Sequence, residues 1–143
     1  MKTQDEQFAE SLHLAAHGWR NALDRRLRPL GYSRSRWMVL LHVSRNDAIA
    51  HGELAERLGI EAPTLVRLVD RMEADGLLSR VASETDRRVK HLHLSAAGRK
   101  EVERIRASAA ELRREILATL DRSEISITLN ALEKIRTTLE HLA

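Results

Sequence analysis

Apolar residues recur by threes and fours through most of this chain, and the recurrence breaks at a few positions that separate one element from the next. Phe8, Leu12, Ala15, Trp19, Leu23 and Leu27 trace one stripe, the spacing that aligns side chains along one side of a helix. Pro29 and Gly31 end that long first helix, and Ser33 to Val43 follows as a second. Leu54, Ala55 and Leu58 share a face in a short segment starting at Gly52, and Gly59 supplies the positive φ that stops it. A fourth stripe, Leu65, Leu68, Val69 and Met72, opens at Pro63, whose fixed φ suits the first helical position, and Gly76 closes it. The period then drops to two. Leu77 to Ala82 and Val89 to Leu94 read as short strands, Leu92 and Leu94 alternating with His91 and His93. Helical spacing returns beyond Ser95 in Val102, Ile105, Ala109, Leu112, Ile116 and Leu120. A last stripe, Ile125, Leu129, Leu132, Ile135, Leu139 and Leu142, starts from a capping-box pair, Asp121 and Glu124.

Helix, turn, helix and hairpin, run together from Gly52 to Gly98, are the layout of a winged helix-turn-helix that reads duplex DNA. With the four apolar residues of the fourth stripe turned inward, Thr64, Arg67 and Arg71 fall on the opposite face. A hydroxyl and two guanidiniums then line the side that enters a major groove, with Arg67 the residue expected to read a base edge. Ala62 before Pro63 has no side-chain oxygen to cap the helix, which leaves its first amides open to an outside acceptor such as phosphate. The hairpin tip, Ser83 to Arg88, carries Arg87 and Arg88 beside Asp86, with Lys90 at its base. Two guanidiniums on a tip suit a narrow minor groove, where the potential is most negative. Asp86, two residues from Arg88, is placed to hold that side chain in a reaching pose.

Asp86, Arg87 and Arg88, followed by Leu94, Ser95 and Gly98, resemble the wing signature of the MarR family of bacterial transcription regulators. The runs Arg26 to Leu40, Leu54 to Arg80 and Ser83 to Ser95 are similar to that family's in order, without a large insertion, and most resemble its SlyA-like branch. The resemblance covers nearly the whole chain. It implies a mainly α fold with a small β-hairpin wing, a single MarR-type domain over residues 1–143. Within it, 1–31 and 95–143 would be dimerisation helices and 33–94 the DNA-binding region, with the helix-turn-helix at about 52–76 and the wing at about 77–94. By motif, the major-groove role falls on Pro63, Thr64 and Arg67 and the wing role on Arg87 and Arg88. Arg71 and Lys90 join them as neighbouring cations, and Asp86 supports the wing. Ser95 stands where the family often has threonine, and either hydroxyl caps the next helix. The resemblance also implies a crevice for a small aromatic or phenolic carboxylate effector, walled by Trp19, Ser33, Trp37, Leu41 and Arg67. There a ring would stack on indole while its carboxylate meets an arginine.

The flanking helices call for a partner on physical grounds as well. A helix from Ser95 to Thr119 would run about 36 Å, longer than a small wing domain covers. A second copy of the chain is the simplest cover, giving a two-fold homodimer. Its interface is expected at Phe8, Leu12, Leu112, Ile116, Leu120, Leu132, Ile135 and Leu139. Two reading heads then predict a near-palindromic duplex with half-site centres about 34 to 36 Å apart.

Composition sharpens this picture in a few places. The 143 residues carry a formal net charge of +3, a length that suits one domain. More telling is the distribution: Arg20, Arg25, Arg26, Arg28, Arg34 and Arg36 crowd the end of the first helix and its loop against Asp24, while acidic residues gather toward both ends. No cysteine is present, which excludes disulfides and any thiol-based sensing. No apolar run approaches membrane-spanning length, so no membrane partner and a cytoplasmic location are expected. No repeat or flexible linker divides the chain. Ser95, His93 and Asp86 lie near one another in sequence, yet nucleophile elbow, glycine-rich phosphate loop and H-E-x-x-H helix are all missing, so neither an enzyme nor a cofactor is expected. His13 with His17, and His91 with His93, each offer two ligands at accepted spacing with no nearby acid to complete a set, so no metal site is expected and a metal-responsive regulator is the weaker alternative. The other alternative is a winged-helix module that docks a protein, which should keep an exposed apolar patch where this chain has arginines.

Overall fold

Helix α1, Gln4–Leu27, begins at a reciprocal cap in which Thr3 Oγ1 accepts from the Glu6 amide while Glu6 accepts from the Thr3 amide at 2.7 Å. The structure, a computed structural model, describes residues 1–143. A 3-10 turn, Arg28–Leu30, leads into α2, Arg34–Arg45, then β1, Ile49–Ala50, α3, His51–Leu58, and α4, Ala62–Ala74. Strands β2, Leu78–Ala82, and β3, Lys90–Leu94, form the hairpin, and α5, Ala96–Leu117, and α6, Arg122–Leu142, complete the chain. No helix is long and apolar enough to cross a membrane.

The chain divides into two compact units, Met1–Ala109 and Ala110–Ala143. In the first, Leu27, Leu40, Leu54, Leu65, Met72 and Leu92 are buried almost completely, one or two from each of α1 to α4 and one from β3. All but Leu40 are positions that periodicity turns inward, and hydrophobic burial fixes how the four helices and the sheet meet. Leu68, expected with them, is only half-buried. Gly59, at φ 66°, ends α3 in the left-handed conformation its place requires. The architecture is a winged helix-turn-helix: mainly helical, with α3 and α4 as the pair and the hairpin as wing.

Three local differences from the sequence expectations stand out. The sheet has three strands in the order β1-β3-β2, all antiparallel, with Ile49 opposite Leu92 and Leu78 opposite Leu94. Two residues are too few to carry a period, so β1 left no pattern to read. Helix α4 starts one residue early, at Ala62, and its N-cap is Glu61 rather than Ala62. The glutamate makes no side-chain capping bond, so the open helix end survives, set by a different residue. Helix α5 starts at Ala96 rather than Ser95, and Ser95 caps it as expected: Ser95 Oγ accepts from the Gly98 amide at 3.0 Å and donates to the Gly76 carbonyl at 2.5 Å.

That contact explains the glycine of the wing signature. The Ser95 amide also donates to the Leu77 carbonyl at 3.0 Å, which brings the start of α5 against the turn that follows α4. A Cβ on Gly98 would overlap the Leu77 carbonyl oxygen and lie 3.1 Å from Leu94 Cδ2.

The second unit holds the end of α5 and all of α6. The expected capping box at Asp121 and Glu124 is formed, with bonds of 2.8 and 3.1 Å. Ile116, Leu132 and Ile135 are half-buried, and Ile127, Leu129, Leu139 and Leu142 are each more than half exposed.

Candidate nucleic-acid interface

Burial of Leu65, Val69 and Met72 turns the other side of α4 to solvent. Pro63, Thr64, Arg67 and Arg71 are all exposed there, and neither guanidinium is engaged by a protein partner. Val66, 42% exposed, adds an apolar group to the same surface. At the near end the first amides of the helix lack a side-chain acceptor, and the aligned peptide dipoles make that end attractive to an anion.

The wing is organised by one carboxylate. Asp86 Oδ1 accepts from the Arg88 amide at 3.0 Å and from Arg88 Nε at 3.2 Å, and Oδ2 accepts from Nη2 at 3.2 Å. These side-chain and backbone bonds from Arg88 hold the Asp86 carboxyl below its ordinary value against a small opposing effect of burial. The pair thus stays ionised at neutral pH while the Arg88 side chain remains 91% exposed. Arg87 and Lys90 are exposed as well. The Ser83 and Thr85 hydroxyls share a bond of 3.0 Å, and the Thr85 amide donates to Ser83 Oγ at 3.3 Å, giving the tip a fixed turn.

The residues expected to wall an effector crevice have other surroundings. Trp37, 5% exposed, belongs to the core, and its Nε1 donates to Asp24 Oδ1 at 3.3 Å. Leu41 is equally buried. Ser33 caps α2 by accepting from the Arg36 amide at 3.4 Å, Trp19 is exposed on α1, and Arg67 lies on the outer face of α4. None of the five lines either of two cavities in the first unit. One cavity, of about 350 Å³, is walled by His17, Arg20, Arg34, Ser35, Met38, Leu58 and Ile60. The other, of about 520 Å³, lies among Ser44, Asp47, His93, Arg99, Glu103 and Arg106.

Asp24 is buried beside Trp37. It is 3% exposed, and besides the indole it accepts from Arg28 and lies 3.8 Å from Arg34. Burial alone would raise its pKa, but the Trp37 bond and the charges of Arg28 and Arg34 outweigh that, so the carboxyl is held below its ordinary value. A buried carboxylate with several donors locks the hinge between α1 and α2.

Sequence reasoning missed Arg80. From β2 its Nη1 lies 2.7 Å from Asp70 Oδ1, its Nη2 donates to the Val66 carbonyl at 3.1 Å, and its amide donates to Glu73 Oε2 at 3.0 Å. It pairs with both carboxylates of α4. Of the histidines, His93 Nδ1 is 3.6 Å from Asp47 Oδ1, and no group of three or more potential metal ligands is brought together. Among the interface candidates, Phe8, Leu120 and Leu139 are exposed, Leu12, Ile116, Leu132 and Ile135 half-buried, and Leu112, at 5%, is already covered within the single chain.

This fold, with paired helices, an uncapped second helix and a basic wing, defines a winged helix-turn-helix regulator, and comparison with known proteins gives the family. The MarR family's sequence model matches residues 30–89. The structure of a transcriptional regulator designated PA3341 is 41% identical, with a TM-score of 0.83 over 94% of this chain and 98% of that one. A MarR-family regulator of Methanosarcina mazei Go1 superposes with a TM-score of 0.80 at 22% identity, over 96% and 99% of the two chains. MepR of S. aureus, solved as a DNA complex, does so with a TM-score of 0.72 at 20% identity, over 96% and 99%. The chain belongs to the MarR family of transcriptional regulators.

Proposed function

We propose that this regulator acts in the cytoplasm as a homodimer that grips a near-palindromic duplex, and that it stands nearest the SlyA-like branch of its family. One observation carries the reading: Arg67 and Arg71 project without partners from the face of a helix whose first amides are uncapped. Unpaired guanidiniums keep their donors for base edges and phosphates. Arg67 reads a base in the major groove, Pro63 and Thr64 approach the backbone beside it, and Arg71 and Lys90 meet phosphates. Arg87 and Arg88 enter the minor groove, with Asp86 aiming Arg88. Residues 33–94 do this work, while 1–31 and 95–143 form the dimer, a role supported by the exposed Phe8, Leu129, Leu139 and Leu142. No catalytic step or cofactor is part of this function.

A small aromatic or phenolic carboxylate fits the 350 Å³ cavity better than the walls expected from sequence. Arg20 and Arg34 offer positive charge, His17 offers a ring nitrogen, Met38, Leu58 and Ile60 offer an apolar floor, and no carboxylate lines it. Bound there, against α1, α2 and the end of α3, such a ligand would bias the placement of the reading pair.

Selection of bound sequences from random duplexes, followed by titration at several salt concentrations, tests the proposal. Arg67→Ala should lose about 1 to 3 kcal/mol and relax preference at one base position, and Arg88→Ala should weaken all duplexes more evenly and flatten the salt dependence. Unchanged affinity in both variants, or binding to no duplex at low salt, would refute it. Calorimetry with phenolic acids tests the cavity, where Arg20→Ala should abolish any heat.

A further inference from the structure

Arg80 joins two elements that touch DNA in the proposal above without facing DNA itself. It sits mid-strand in β2, opposite Leu92 of β3, with its side chain 19% exposed. Its three acceptors belong to Val66, Asp70 and Glu73, positions i, i+4 and i+7 of α4, which follow one line along that helix for about 10 Å. Arg80 Nη2 reaches a main-chain carbonyl, Nη1 reaches a carboxylate at each of two turns, at 2.7 and 3.7 Å, and the Arg80 amide adds the fourth contact. A planar fork of fixed donors can hold these groups at once, which a lysine ammonium cannot. The only covalent path between the elements is the short turn from Asp75 to Leu77, which limits their separation but not the tilt of the hairpin.

We propose that Arg80 is a positioning residue that fixes the angle between α4 and the wing, and so sets the spacing between major-groove and minor-groove contacts. Arg67 and Arg71 directly follow two of its anchor residues, so the frame that holds Val66 and Asp70 also aims them. Losing the latch removes no DNA-facing side chain but frees the hairpin to rock. Affinity for correctly spaced sites then falls while binding to arbitrary duplex persists. The inference rests on the DNA reading for its functional half; its structural half stands without DNA.

The absence of cysteine allows a clean test. Cysteines introduced at Ala74 and Glu84 carry spin labels, and labelled chain is diluted into unlabelled so that only the distance within one chain is measured. Arg80→Met, which keeps the packed stem, should broaden the distance distribution while circular dichroism stays native. It should also lower the ratio of selected-site to random-duplex affinity about ten-fold, and Arg80→Lys should restore only part of either property. The pair Asp70→Asn with Glu73→Gln should broaden the distribution in the same way. Unchanged widths in Arg80→Met and in the acceptor pair overturn the latch, and an unchanged affinity ratio in Arg80→Met overturns its role in spacing. Failure of the native chain to bind any duplex would instead strike the DNA reading, with the distance measurements still deciding the latch.

Discussion

Replacing Gly98 with alanine sets two physical effects against each other, and the structure decides the sign. Gly98 is the third residue of α5, where intrinsic propensity favours alanine by about 1 kcal/mol. A Cβ there meets the Leu77 carbonyl oxygen, a main-chain atom, and is itself fixed to the helix backbone with no rotamer to escape. The carbonyl cannot retreat easily, because it accepts the Ser95 amide and the neighbouring Gly76 carbonyl accepts the Ser95 hydroxyl. Forcing a methyl into such a contact costs about 3 kcal/mol, at the upper end of overpacking effects. The net expectation is a loss of about 2 kcal/mol, a fall in melting temperature of roughly 5 to 10 °C for a chain of this size. Scanning calorimetry of both proteins at one fixed concentration measures it, since assembly would otherwise shift the midpoint. A variant that melts at or above the parent temperature would show that propensity governs and that the close approach of α5 to the turn is wrong.

Trp37→Phe removes a donor from buried Asp24 and leaves space where the larger indole packed, so urea unfolding should show a loss of at least about 1 to 3 kcal/mol. Were the stability unchanged, the indole bond would be irrelevant to the hinge. Glu61→Ser supplies the missing cap of α4 and should stabilise the protein by about 1 kcal/mol, while the hydroxyl competes with phosphate for the same amides and weakens DNA binding. A gain in both stability and affinity would contradict an open helix end as the phosphate site. Acid should act in two stages. Burial and the charge of Arg80 hold His51 below its ordinary value of 6.5, with Asp70 partly opposing, so below that pH the unfolded chain binds the proton more readily than the folded one. Stability is therefore whole above about pH 6.5 and declines as pH falls toward the folded-state value. His51→Gln should flatten that slope. Asp24 and Asp86, both held below the ordinary 3.8, contribute stability above that value that disappears as pH falls through their lower folded-state values.

How much was legible depended on how local the cause was. Helices α3 and α4 and the hairpin follow from periodicity within each segment, and Asp86 with Arg88 from a separation of two residues. Strand β1 was invisible because two residues hold no period and its pairing with β3 lies some forty positions along the chain. Trp37 shows the limit of pattern reading most clearly. Its place in the helix from Ser33 was correct, but the inward packing of the ring, with its indole bonded to Asp24 thirteen positions earlier on another helix, is set by tertiary contacts. The arginine cluster from Arg20 to Arg36 was legible as charge, whereas the convergence of Arg20 and Arg34 on one cavity needed the crossing of α1 and α2. Arg80 was unreadable for the same reason: Val66, Asp70 and Glu73 become its neighbours only when β2 folds back along α4.

The short strand β1 bears on how such a protein diversifies. By pairing with β3 opposite Leu92 and His91, it makes β3 the middle strand and gives the root of the hairpin neighbours on both sides, while the segment from Ser83 to Val89 depends on itself alone. Insertions, deletions and altered charge at that extremity can therefore accumulate without unpairing the strands beneath. Chains sharing this scaffold are free to vary at the tip first, long before any change reaches the core.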